Sequence, residues 1–154
     1  QSARHRRECP ETARLLDRVP GLTSAFFSVL APGKHVPPHV GLTKGLLRCH
    51  LGLKVPRDAG RCVMHVADER FSWQEGRAVL FDDTYKHQVF NDTDEERVVL
   101  LLDFRRPMRL PGRVAFRVVE TLFKLSPFIR RARRNQKAWE ARAGAPEGLE
   151  ALLR

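Results

Sequence analysis

The sequence predicts a mainly β protein, a sandwich or jelly roll, with a short helix before it and basic helices after it. Three observations carry this. From residue 22 to about residue 108, apolar residues recur in seven or eight short runs with period-two alternation. Gly, Pro and Asp break the runs at spacings of about 8 to 12 residues, as in all-β folds. After Pro107 the apolar period becomes helical and the charge becomes strongly positive. The expected organisation is a leading segment over residues 1–21, a core over 22–108 and basic amphipathic helices over 109–154.

The elements follow in order. Ala13, Leu16 and Val19 share one face of a short helix, which Pro20 and Gly21 end. The run from Ser24 to Leu30 alternates as a strand, with Ser24, Phe26, Ser28 and Leu30 on one face. Pro32 and Gly33 mark a turn. Pro37 and Pro38 forbid a helix between His35 and His39, so this segment is extended and stiff and presents His39 on a rigid support. Leu46 to Val55 is the longest alternating run. Leu47, Cys49, Leu51, Leu53 and Val55 form its apolar back, and Arg48 and His50 lie on its front.

Arg57 to Gly60 reads as a turn, Arg61 to Val66 as a strand, and Ala67 to Glu69 as a turn. Residues 70–73 and 77–81 are expected to pair as a hairpin across Gln74 to Gly76, and residues 86–90 and 97–104 as another across Asn91 to Glu96. In the last strand Arg97, Val99, Leu101 and Asp103 share one face. Arg113 to Leu125 is an amphipathic helix. Ser126 and Pro127 are an N-cap and first-turn proline for a second helix reaching Trp139.

The chain of 154 residues is long enough for one sizeable core. It contains no uncharged apolar stretch long enough for a transmembrane helix. It opens on Gln1 rather than Met, so a preceding segment is expected. Cys9, Cys49 and Cys62 are odd in number and lack CxxC spacing, which argues against a disulfide framework or a zinc knuckle. A reducing, cytoplasmic setting follows, with attachment at the inner face of a membrane as an extension of it. The net charge of +10 is uneven: Arg105 to Arg142 holds 12 Lys and Arg against Glu120 and Glu140. Such a segment attracts phosphates on lipids, nucleic acids or anionic substrates. The basic run from Arg130 to Lys137 lacks aromatic interleaving and a helix-turn-helix pattern, which disfavours nucleic acid.

The strands direct Ser28, His39, Arg48, His50, His87 and Arg97 inward. Two imidazoles on rigid supports suit iron, nickel, copper or zinc. An inward arginine needs an acidic partner, and a bound dicarboxylate supplies one with bidentate geometry. The same residues also fit a polar hairpin in a β-sandwich, or an edge strand with a solvated front. Asp82 and Asp83 precede His87 and read as turn residues that satisfy backbone amides.

Several ordered blocks carry a resemblance: His39-Val-Gly41, Leu47-Arg48-Cys49-His50-Leu51-Gly52-Leu53, Trp73 to Gly76, Leu80-Phe-Asp-Asp83, His87-Gln-Val89, Asn91, Arg97, and Asp103 to Pro107. Over about residues 22 to 108 the chain resembles the aspartyl/asparaginyl β-hydroxylase family. The resemblance implies a double-stranded β-helix (a jelly roll, cupin-like) and a dioxygenase that uses Fe(II), 2-oxoglutarate as cosubstrate, and O2. It implies that His39 and His87 hold the metal. It implies that Arg97 and Ser28 hold the distal carboxylate of 2-oxoglutarate, with Arg48 and His50 on the cosubstrate and substrate side. Gly41 stands where most enzymes of this chemistry carry an acid, and the resembled family also has glycine there.

The implied activity is hydroxylation of an unactivated C–H. Within the family the substrates include Asp or Asn residues, free or carrier-bound amino acids, and the acyl chain of lipid A. The segments around Cys9 to Phe26 and after Arg105 are similar to the bacterial lipid branch. The basic stretch 105–142 suits an anionic lipid or membrane surface. The competing classes are a non-catalytic cupin-like ligand-binding module and a protein that binds anionic polymers through its basic tail.

Overall fold

A computed structural model of the chain describes residues 3–125. The chain divides into two units, Gln1–Pro107 and Met108–Arg154. In the first, two short helices, α1 (Ala3–Glu8) and α2 (Pro10–Leu16), precede eight strands. These are β1 (Leu22–Leu30), β2 (His35–His39), β3 (Leu46–Lys54), β4 (Cys62–Val66), β5 (Glu69–Ser72), β6 (Ala78–Phe81), β7 (His87–Asn91) and β8 (Arg97–Arg105). A 3-10 turn over Ala59–Arg61 leads into β4. In the second unit, α3 spans Leu110–Leu125. The expected second basic helix, from Ser126 to Trp139, lies outside the described residues.

The strands form two four-stranded antiparallel sheets, ordered β1-β8-β3-β6 and β2-β7-β4-β5. Successive strands alternate between the sheets, except β4 and β5, which pair directly around Ala67 in the left-handed region at φ 50°. This is the double-stranded β-helix that the sequence predicts. One core lies between the sheets: Leu30, Cys62, Met64, Val66, Trp73, Phe81, Val89 and Val99. A second cluster covers the outer face of the first sheet, where Leu16 of α2 packs on Ala25, Cys49, Leu100 and Leu102. The alternation read in β3 and β8 therefore holds. Odd positions of β3 and even positions of β8 face outward, and Arg48, His50, Arg97 and Val99 face the interior.

Both expected hairpins are absent. β5 pairs with β4, and β6 pairs with β3 in the opposite sheet. β7 pairs with β2 and β4, whereas β8 pairs with β1 and β3. The connections are crossings between layers, and each has a physical lock. At the first, Gly76 sits at φ 71° and donates to Gly52 O, while Gly52 donates to Arg77 O. A Cβ on Gly52 would lie 2.3 Å from Gln74 O, so only glycine lets the crossing chain approach β3. At the second, fully buried Asn91 donates through Nδ2 to Leu30 O, Ala31 O and Glu95 O, and accepts from Thr93 Oγ1. One amide thus ties the β7–β8 crossing to the end of β1.

Candidate active site

His39 and His87 meet across the β2–β7 ladder. From His35 to Val36 the register pairs His35 with Phe90 and Val36 with Val89; it then shifts by one residue before His39, which pairs with His87. The shift falls at Pro37 and Pro38. A one-residue slip moves a side chain to the other face, so this irregularity sets His39 beside His87. β2 is an edge strand, where prolines lacking an amide donor are tolerated.

The two rings lie 4.0 Å apart, centroid to centroid, tilted by 54°. His39 Nδ1 is 2.9 Å from Pro37 O, and His87 Nδ1 is 2.8 Å from Tyr85 O. A carbonyl only accepts, so each Nδ1 must carry the hydrogen. In the neutral ring, each Nε2 then keeps its lone pair, the form a metal ligand requires. Burial holds the His87 pKa below the ordinary histidine value, and the neighbouring His39 adds to this, against the Tyr85 carbonyl. His39 is exposed and His87 is buried, so the pair sits where the interior opens.

Behind this pair the interior is rich in donors that lack acceptors. Arg97 opens β8 opposite Leu30 and is 2% exposed. Its Nε and Nη1 are buried without a hydrogen-bond partner, and its guanidinium carbon lies 4.6 Å from the centroid of the Trp73 ring. Burial pushes the pKa of Arg97 down. A guanidinium nevertheless keeps its proton in a folded protein, so the consequence is an unmet need for an anion. His50 is equally constrained. Trp73 Nε1 donates to His50 Nδ1 at 3.3 Å, which makes that nitrogen the acceptor and puts the hydrogen of the neutral ring on Nε2. Burial, then the positive charges of Arg97 and Arg48, pull the His50 pKa to about 3, so the ring is neutral. Its buried Nε2 has no partner. Phe81 joins the two halves, with its ring 5.0 Å from His50 and 5.8 Å from His87.

Ser28 is half-buried on the inner face of β1, two residues before Leu30 and opposite Val99. Arg48 is engaged within the protein. Its Nε donates to Asp103 Oδ1 at 2.8 Å, and its Nη1 lies 3.3 Å from Asp83 Oδ2. Ser24 Oγ completes the Asp103 carboxylate at 2.6 Å.

The two aspartates before His87 divide. Asp82 is the expected turn residue: it accepts from Thr84 N and Thr84 Oγ1, and it pairs with Arg106. Asp83 departs from the expectation. Its buried carboxylate turns to Arg48 and to Gly41, whose amide also donates to Asp83 O. A Cβ on residue 41 would lie 2.3 Å from Asp83 Cγ. The side chain of Asp83 therefore fills the space that a residue-41 carboxylate would need. Trp73 and Asp103 appear in the resembling blocks without a role; in the structure they fix His50 and Arg48. Among the described residues, no cluster of three or more His, Cys, Asp or Glu side chains is arranged to hold a metal.

Residues 1–107 match the family model described as Aspartyl/Asparaginyl beta-hydroxylase. The chain belongs to the aspartyl/asparaginyl β-hydroxylase family. It is 41% identical over 140 residues to the ornithine lipid ester-linked acyl 2-hydroxylase of Rhizobium tropici, a match over 91% of this chain and 50% of that protein. It is 34% identical over 119 residues to the human aspartyl/asparaginyl beta-hydroxylase, over 72% of this chain and 15% of that one. The chain thus spans half or less of these two relatives. Among solved structures, a cupin protein of Bacteroides fragilis aligns with a TM-score of 0.46 and 16% identity, over 59% of this chain and 71% of that one.

Proposed function

We propose that this β-hydroxylase family member is an Fe(II)- and 2-oxoglutarate-dependent hydroxylase, and that its substrate is the acyl chain of an ester-linked lipid. The observation that carries the reading is the conjunction of two kinds of site in one interior. Two imidazoles with free Nε2 lone pairs stand at the mouth, and three buried donors without acceptors stand behind them, on Arg97 and His50. The donor set fits the group. Neutral imidazoles suit iron, and a carboxylate is the acceptor that a planar guanidinium and a ring N–H both lack.

When bound, the iron with 2-oxoglutarate and dioxygen supplies an oxidant strong enough to replace an unactivated C–H by C–OH. The protein does the rest. His39 and His87 hold the metal through Nε2. Arg97 neutralises the far carboxylate of the cosubstrate, and His50 Nε2–H and the Ser28 hydroxyl extend that contact. Arg48 holds Asp83 beside Gly41, so that a carboxylate, although not one from residue 41, would stand near the metal pair. Trp73, Phe81 and Val66 keep bulk water from the chamber, since all three are buried.

Two observations favour an acyl chain over an Asp or Asn residue. The lipid hydroxylase of Rhizobium tropici matches 91% of this chain. A cleft of about 340 Å³ also opens beyond Phe81, lined by Val66, Phe71, Val79, Leu80 and Tyr85 together with Glu69 and Asp82. Its size suits a small-molecule site, and its largely aliphatic and aromatic wall suits hydrocarbon. The test is succinate formation from 2-oxoglutarate with Fe(II), with and without ester-linked lipids. Lipid-stimulated turnover with one oxygen added to the acyl chain is expected. Stimulation by Asp- or Asn-containing peptides alone would move the substrate to the other class. Metal binding without any turnover would leave a binding module.

A further inference from the structure

Along α3, Leu110, Val114, Val118 and Leu122 recur every fourth residue and are 64%, 54%, 54% and 63% exposed. Four-residue steps on a helix of 3.6 residues per turn drift by only about 40° each, so these side chains form one stripe. Val119, also exposed, widens it. Arg113 and Arg117, both exposed, fall on the other arc, and exposed Arg109 immediately precedes the helix. Glu120 is the single acid between Arg105 and Arg134.

This combination selects among partners. A nucleic acid would use the cations and leave the stripe in water. Pairing with a second copy would bury the stripe but bring together two helices that each carry Arg109, Arg113 and Arg117 against one acid, Glu120. An anionic bilayer satisfies both, taking apolar side chains at the headgroup–acyl boundary and offering phosphates to the flanking cations. At 16 residues α3 is about 24 Å long, and no described helix is long and apolar enough to cross a membrane.

We propose that α3 is a membrane-surface helix that lies in the plane of an anionic bilayer, with Leu110, Val114, Val118 and Leu122 inserted and Arg109, Arg113 and Arg117 on lipid phosphates. The proposal does not rest on the hydroxylase reading. If both hold, the helix brings the β-helix to the surface where ester-linked acyl chains reside.

The experiment is flotation of the full chain with vesicles of phosphatidylcholine alone or mixed equally with phosphatidylglycerol, with a duplex DNA competitor and no iron or cosubstrate. Tighter partition onto the anionic vesicles, by about tenfold or more, is expected. Val114→Asp with Val118→Asp should lower it by about tenfold or more, as should Arg113→Glu with Arg117→Glu, with the thermal unfolding midpoint unchanged. Wild-type protein that stays off anionic vesicles overturns the proposal. So does full partition by the Val114→Asp, Val118→Asp variant, which would leave charge alone as the cause. Release from vesicles by stoichiometric duplex DNA overturns it too. Loss of succinate formation in an unrelated variant does not bear on it, because the readout is flotation.

Discussion

Gly41 and Asp83 share one volume: a Cβ on residue 41 would stand 2.3 Å from the Asp83 carboxyl carbon. The missing acid of the His39 segment and the acid four residues before His87 are therefore one feature seen from two strands. Gly41→Ala should cost about 1–3 kcal/mol by overpacking against this carboxylate. Asp83→Ala should recover most of that loss when combined with it, because the clash is then gone. Urea denaturation of the two single variants and the double variant checks this. Strict additivity would mean that the two positions do not compete for space.

Arg97 gives a prediction of opposite sign for stability and for binding. Its guanidinium is buried with Nε and Nη1 unpartnered, a cost to the folded protein until an anion arrives. Arg97→Met should leave the cosubstrate-free protein as stable, or more stable by about 1–2 kcal/mol. The same change should raise the concentration of 2-oxoglutarate needed for turnover by about tenfold or more. Thermal unfolding with and without 2-oxoglutarate checks both halves, since wild type should be stabilised by the cosubstrate and the variant should not.

Buried His50 adds a pH dependence to the stability of the protein. Its folded pKa is about 3 against an ordinary value of 6.5. The unfolded chain therefore binds a proton, between those values, that the folded chain refuses. Stability is full above about pH 6.5 and falls as pH drops toward 3, by up to about 1.4 kcal/mol per pH unit for this one group. The lowered pKa of His87 acts in the same direction. Denaturation curves across this range should show the slope, and His50→Gln should flatten it.

Asn91 is fully buried and holds three carbonyls at the β7–β8 crossing. Asn91→Ala should destabilise the protein by about 2–4 kcal/mol, because those carbonyls would lose their donor inside the core. Metal affinity should fall as well, since the crossing joins the strand that carries His87 to the strand that carries Arg97. A stability change below about 0.5 kcal/mol, the range of neutral surface substitutions, would contradict the role.

The strands were legible because alternation is local. Leu46 to Lys54 shows its apolar back and its Arg48 and His50 front without any partner in view. Partnership was not legible. Residues 74–76 and 91–96 have the composition of hairpin turns, yet both cross between sheets. The deciding contacts, Gly52 against Gln74 and Asn91 against Leu30, lie 22 and 61 positions apart in the sequence. His39 stands beside His87, and Phe81 and Trp73 link that pair to His50 and Arg97. The place of Asp83 was hidden because a turn aspartate and a site aspartate look alike in sequence, and the signal that could have revealed it was Gly41. The seating of His39 depended on a register shift at Pro37 and Pro38 that no periodicity records.

The most direct measurement incubates the full chain with Fe(II), 2-oxoglutarate, isotopically heavy dioxygen and an ester-linked lipid, beside a His87→Ala variant of matched fold. The expected result is succinate formation with one heavy oxygen atom in the acyl chain, and loss of both in the variant. Wild-type protein that binds Fe(II) but forms no succinate, or a His87→Ala variant with undiminished turnover, would contradict the assignment of His39 and His87 as the metal pair of a hydroxylase.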